Sequence, residues 1–361
     1  MASSETGDAV PPGQWIHSQL FGVSLAPASR LSLGEGSTAL GPAPELGRAL
    51  GIPDLLLKRE DQSPTGSHKA RCLSLLCSAL VAGGGRQAVI SSSGNAAVAA
   101  AAYAALGDVR LLSLVSPRTP RVKLNRLRGY PGLIVLSEHP VALLHHAVGR
   151  WGLADLRGSA NLLAPNAYRG IAAELVASAP GAVFLFTSSG ATALGLGQGF
   201  DRLLPPQQRP ELHVVEGTPG GEITRSWYRD VGRAEETAGG LGELGARRSR
   251  LAPAVRRAVR SSGGRGWRVA PAEATELRAL AETHGVRTSW EGIATLAAMR
   301  QAGSRGEVRK SGSWVAILTG DQAQLDLEPS RAEDPPLAAA DSGAELDRLL
   351  EGAGFTRTEA S

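Results

Sequence analysis

Residues 55–73 read LLLKREDQSPTGSHKARCL. A short Leu-rich strand runs into a polar turn, Pro64-Thr65-Gly66-Ser67, and a helix follows with Lys69 at its entrance. The same handover recurs downstream. Strands are expected at 55–58, 88–90, 109–115, 133–136, 183–187, 212–216 and 314–318, and helices begin near Lys69, Asn95, Arg121, Pro140, Tyr168, Thr192, Ala272 and Gly292. Strands alternating with helices predict an α/β fold with open, twisted, mostly parallel sheets covered by helices. Ligands then bind outside the carboxyl ends of the strands.

Three more handovers carry polar side chains. AVISSSGNAAVAAAAYAA sets Ser91, Ser92, Ser93, Gly94 and Asn95 between a strand and an alanine helix. Backbone amides at such a helix start suit a carboxylate, and the Asn95 amide can donate to a phenolate-type oxygen. VFLFTSSGATALGLGQGF follows a buried strand with Ser188, Ser189, Gly190, Ala191 and Thr192, small residues that let the backbone wrap a phosphate at a helix N-terminus. It has neither the Walker lysine nor GxGxxG spacing, which argues against ATP and dinucleotides. SWVAILTGDQ ends a buried strand on Thr319, whose hydroxyl could meet a ring nitrogen. A lysine at a positive helix end has its ammonium form disfavoured, which makes Lys69 a candidate nucleophile or base.

The chain has 361 residues, 42% hydrophobic, with formal net charge +4. That is long enough for two or three domains and too weakly basic to argue for nucleic acid. Only four of the 38 basic residues are lysines, namely Lys58, Lys69, Lys123 and Lys310, so amine chemistry has four candidates. Cys72 and Cys77 lie five apart with no Cys/His cluster, so neither a disulfide framework nor a metal site is expected. The longest apolar run, 96–106, is too short to span a bilayer, and the start shows no targeting pattern, so a soluble, cytoplasmic protein is expected. Residues 247–268 hold eight arginines and no acid and read as a mobile or surface insertion. Residues 321–361 hold ten acids against three bases and read as a solvated or partly disordered tail with one short helix.

A lysine amine, a ring-oxygen donor, a phosphate cradle and a ring-nitrogen partner, in this chain order, are what pyridoxal phosphate requires. SLGEGSTAL, PTGSHKAR, SSSGNAAVAAAAYAA, APNAYRGIAAEL, SWEGIATLAAM and VAILTGDQ, spread over 32–322, resemble the fold-type-II pyridoxal phosphate enzymes, closest to threonine synthase. SPTGSHK is shared with some tryptophan synthase β chains, whose GAGQWG segment is absent here. The resemblance implies two mostly parallel sheets and a Schiff base between Lys69 and pyridoxal 5'-phosphate. Asn95 would meet the ring oxygen, Ser188, Ser189, Gly190, Ala191 and Thr192 the phosphate, and Thr319 the pyridine nitrogen. Ser92, Ser93 and Gly94 would receive the substrate carboxylate, Arg169 a substrate phosphate, and Glu291 would stand near the ring. Glu35 and Thr38 match the family's early active-site wall.

The boundaries on this pattern are an arm over 1–30, a large cofactor-binding domain over 31–60 and 160–328, a smaller mobile domain over 61–159, and an acidic tail over 329–361. The implied activity is that of a lyase or synthase of amino-acid metabolism. It would abstract an α-proton and eliminate or replace a β- or γ-substituent, threonine synthase-like, on O-phosphohomoserine or a related substrate. A serine/threonine dehydratase, a cysteine synthase-type β-replacement enzyme and a catalytically inactive sensor or subunit stand as alternatives. The departures are His68 for a usual Phe, Ala70 for a usual Asp, and Leu163-Ala164 where threonine synthases carry an Asn-Ser pair. A homodimer is a further implication, with a small amino acid and neither nucleic acid nor membrane as partner.

Overall fold

The computed structural model describes residues 13–92, 94–217, 221–228, 249–321 and 337–357. After a 3-10 segment at Gly13–Leu20, the first elements are β1 (Leu40–Pro42), α1 (Pro44–Leu50), β2 (Leu55–Lys58) and α2 (Lys69–Ala82). Next come β3 (Gln87–Ser91), α3 (Asn95–Leu106), β4 (Arg110–Val115), α4 (Arg121–Arg128), β5 (Leu133–Leu136), α5 (Pro140–Trp151) and β6 (Ala154–Asp155). Then α6 (Ala164–Ala167) and α7 (Arg169–Leu175) lead to β7 (Ala182–Phe186), α8 (Ala191–Leu203), β8 (Glu211–Gly217), α9 (Ala252–Ser262) and β9 (Gly266–Val269). The chain continues through α10 (Pro271–Thr283), α11 (Trp290–Arg305), β10 (Trp314–Ile317), β11 (Ala338–Ala339) and α12 (Gly343–Gly352).

The strands form two sheets. A six-stranded sheet has the order β1-β2-β10-β7-β8-β9, and a five-stranded sheet the order β11-β5-β4-β3-β6. All pairings are parallel except β1 with β2. β7 and β8 are buried at every position, as AVFLF and its neighbour demand of strands covered on both faces. The long apolar helix α3 is buried along Ala97–Ala104, the alanines letting it lie close against its neighbours.

Two sequence expectations are corrected. Within 247–268, residues 249–268 are not an insertion: α9 buries Ala252, Val255 and Val259 against the large sheet's core, and β9 pairs with β8 as its edge strand. The arginines between those apolar positions face outward, which is why a count of charge misread an amphipathic helix. The acidic tail, whose residues 322–336 lie outside the described residues, is structured over 337–357. β11 pairs with β5, and Leu346, Leu350 and Phe355 join the core under the smaller sheet. Its helix starts with a capping box, Ser342 with Glu345, so at least one of the acids counted as solvation serves local structure.

Candidate active site

Three adjacent parallel strands of the large sheet, β2, β10 and β7, point their carboxyl ends at one cavity of about 320 Å³. The turn after β2 delivers His68 and Lys69, the chain leaving β10 brings Thr319, and the loop after β7 brings Ser188, Ser189, Ala191 and Thr192. From the smaller sheet, the loop after β3 brings Ser92, Gly94 and Asn95, and the first turn of α11 adds Glu291. Adjacency of the strands, not of the sequence, assembles the site.

The turn before Lys69 is pinned to the strand beside it. The His68 N–H donates to the Thr319 carbonyl at 3.1 Å, Ser67 bridges to Gly320, and the Asp321 N–H donates back to the Gly66 carbonyl at 2.9 Å. The His68 ring Nδ1 also lies 2.9 Å from that carbonyl of Thr319. A carbonyl only accepts, so Nδ1 carries the proton. Burial drives the His68 pKa well below its ordinary value, with the neighbouring Lys69 charge adding to the effect, so the ring is neutral at pH 7. The other side of the ring stacks obliquely on Tyr168 at 5.5 Å.

Lys69 begins α2, and burial lowers its pKa below the usual lysine range, while Cys72 and Glu291 pull the other way. Desolvation therefore does what the helix end was expected to do. Glu291 is set by Thr288 and Ser289, whose hydroxyl and N–H donate to the Gly320 carbonyl at 2.8 Å. Tyr168 hydrogen-bonds Thr192 and Cys72, and burial raises its pKa and that of Cys72, the latter to about 11, so both are neutral walls.

The loop 188–192 enters α8 through Gly190 at φ +87°, and a Cβ there would stand 2.7 Å from Val255 Cγ2. Glycine alone makes this left-handed turn under α9, and it has no side chain to occupy the amides that open α8. Gly190 shapes the cavity without lining it. On the opposite wall the Gly94 N–H donates to Ser92 Oγ at 3.2 Å, curling the chain into α3. Ser93 lies outside the described residues.

Besides Gly190, three expected residues do not line the cavity. Arg169 is buried elsewhere, donating from Nε and Nη2 to Gln198 Oε1 at 3.1 and 2.7 Å and from Nη1 to the Leu20 carbonyl at 2.9 Å. Its three nitrogens are spent tying α7 to α8 and the N-terminal segment. Glu35 accepts from the Tyr103 hydroxyl at 2.5 Å and the Leu33 N–H at 2.9 Å. Thr38 donates to Glu60 at 2.6 Å, and its carbonyl accepts from Lys58 Nζ. The SLGEGSTAL motif thus braces a buried ion network instead of walling the site. Conversely, the reading missed Tyr168, Cys72, Lys123 and Arg157, all of which line the cavity. Tyr168 sits beside Arg169 in NAYR; the motif was found, and one position of helical rotation decided which side chain faces in.

Among the described residues no helix is long and apolar enough to cross a membrane, and no group of three or more His, Cys, Asp or Glu could hold a metal ion. The family model for pyridoxal-phosphate dependent enzymes matches residues 31–320. No curated protein matches the sequence. Among solved structures, maize serine racemase superposes with a TM-score of 0.67 at 16% identity, covering 88% of this chain and 92% of that one. A pyridoxal 5'-phosphate-dependent aspartate racemase gives 0.68 at 18% over 83% and 92%, and a threonine deaminase from T.th. gives 0.63 at 23% over 82% and 94%. At these identities the likeness establishes the fold.

Proposed function

The chain belongs to the family of pyridoxal-phosphate dependent enzymes, and from that premise we propose that it acts on a small amino acid, removing the α-proton and releasing or exchanging a β- or γ-substituent. The observation that carries this reading is the partly buried amine of Lys69, with its lowered pKa, at the mouths of three strands and in the same cavity as a neutral hydroxyl, Thr319.

The residues present fit the cofactor. A phosphate is matched by the glycine-turned loop 188–192, where added bulk at Gly190 would strike Val255. The Asn95 amide suits a ring oxygen, and Thr319, 3% exposed, suits an unprotonated ring nitrogen. When bound, pyridoxal phosphate supplies a sink for the electron pair left on the substrate α-carbon.

In this reading the chain's own groups divide the remaining work. The segment Ser92, Ser93 and Gly94 would hold the substrate carboxylate, with the Ser92 hydroxyl as one donor, and so orient the substrate. Lys69 Nζ takes the α-proton, and its lowered pKa favours the neutral, proton-accepting amine. The proton can then pass from Nζ to the departing group. Neutral His68 and Tyr168 close the cavity without adding charge. Because Thr319 offers no carboxylate to hold a pyridinium proton, elimination and replacement are favoured over transamination.

Two substrates compete within the reading. A threonine synthase-like conversion of O-phosphohomoserine needs donors for the substrate phosphate, and Arg169 is engaged elsewhere. With Arg169 spent, a phosphorylated substrate must draw its donors from other cations of the cavity, and dehydration of serine or threonine stands as the second reaction of this reading.

The test is the visible absorption of the purified protein, followed through addition of serine, threonine and O-phosphohomoserine with assay of keto acid, threonine and phosphate. A visible band that shifts with one of them, and is missing in Lys69→Ala, is expected. A Lys69→Ala protein that keeps both colour and turnover would sink the assignment.

A further inference from the structure

The cavity holds two cations that the proposed chemistry does not use. β3 lies between β4 and β6 in the smaller sheet, all parallel, so the segments after β4 and β6 flank the loop of Ser92, Gly94 and Asn95 on either side. The segment after β4 carries Lys123 on α4, and the segment after β6 carries Arg157; both side chains line the same cavity as Lys69. Arg157 is held in place by its own strand, with Nε 3.1 and 3.0 Å from the Asp155 oxygens and Nη2 2.7 Å from Oδ2. That pair neutralises much of its charge and fixes its direction. The Lys123 ammonium has no hydrogen bond or ion pair among the described residues. Against these two cations and Lys69, the only acid among the described lining residues is Glu291, which sits across the site beside the Lys69 amine.

An uncompensated cation facing a partly enclosed cavity favours an anion there. In the proposed chemistry the α-carboxylate is taken by the serine-rich segment after β3. We infer that Lys123, with Arg157 on the other side of β3, is the specificity determinant for a second, distal anionic group, so that the preferred substrates are amino acids bearing a side-chain carboxylate or phosphate. This rests on the proposed amino-acid chemistry at Lys69. It also supplies from the smaller sheet what Arg169 and the Leu163-Ala164 positions cannot.

The test compares the holoenzyme with its Lys123→Met and Lys123→Arg forms on aspartate, O-phosphoserine, serine and threonine, with calorimetric titration of succinate as a readout that needs no turnover. The expected result is a roughly 10- to 100-fold loss of kcat/KM on the anionic substrates, carried by KM. Serine and threonine should change by less than about threefold, succinate should bind more weakly to Lys123→Met, and Lys123→Arg should recover most of both losses. Aspartate and O-phosphoserine separate a carboxylate site from a phosphate site. Equal losses on neutral and anionic substrates, no loss at all, or turnover of serine with neither anionic compound accepted, would each overturn the inference while leaving the reaction at Lys69 standing. Failure of that underlying reading shows separately, as colour and turnover retained in Lys69→Ala.

Discussion

The Lys69 amine illustrates how a functional residue works against the fold that holds it. Burial lowers its pKa, so the unfolded chain, with a lysine near 10.4, binds the proton more tightly than the folded one. Stability therefore rises with pH between the folded value and about 10.4, and the charged amine is a constant penalty below that window. Lys69→Met should raise the unfolding free energy of the cofactor-free chain in urea at pH 7 by about 1 kcal/mol, with the gain shrinking toward pH 10. Equal or lower stability of Lys69→Met at pH 7 would remove this account. That Lys69, Asn95 and Thr319 would line one cavity is legible in the sequence because each sits at a local handover from strand to helix or loop. Arg169 was misread because its neighbourhood is decided by Gln198 and the Leu20 carbonyl, 29 and 149 residues away.

Between elements, a buried ion network sets where α2 lies. Arg71 on α2 donates to Glu60 at 2.7 and 2.8 Å and to Glu174 on α7 at 2.8 and 2.9 Å, and Lys58 at the end of β2 reaches Glu174 at 2.5 Å. Two cations balance two carboxylates in a space from which water is excluded. Removing one cation leaves a buried carboxylate uncompensated, so Arg71→Met should lose about 3–5 kcal/mol in urea unfolding at pH 7. The Arg71 and Lys58 charges hold the Glu174 pKa down to about 2 despite its burial. This stabilisation is complete above the unfolded carboxylate range near 4.5 and is lost as the pH falls through about 2. Unfolding midpoints measured from pH 5 to pH 2 should fall more steeply for the parent chain than for Glu174→Gln; parallel slopes would contradict the assignment. Of this network the sequence showed only GEGSTAL and an arginine after the lysine. The pairing partners lie up to 116 residues apart and carry no local pattern.

At the scale of the molecule, the end of the chain is a working part of the smaller sheet. Asp347 on α12 accepts from Trp151 Nε1 at 2.6 Å and contacts His146 and Arg150 of α5 at 2.7 and 2.9 Å, while Leu346 and Leu350 are fully buried beneath. Leu350→Ala should therefore destabilise the protein by about 2–5 kcal/mol in urea unfolding, as a core position does and a solvated tail does not; a change below about 0.5 kcal/mol would restore the tail reading. By itself the sequence determined the alternation of strands and helices and the polar, small residues at the openings of α2, α3 and α8, a lysine among them. All of these depend on the order of residues within a few turns of chain. Only the tertiary structure decided that β2, β10 and β7 lie side by side, that Arg169 points away while Tyr168 points in, and that Lys123 and Arg157 converge from both sides of β3. Strand order and helix rotation are fixed by packing between segments far apart in sequence, and local propensity carries no record of them.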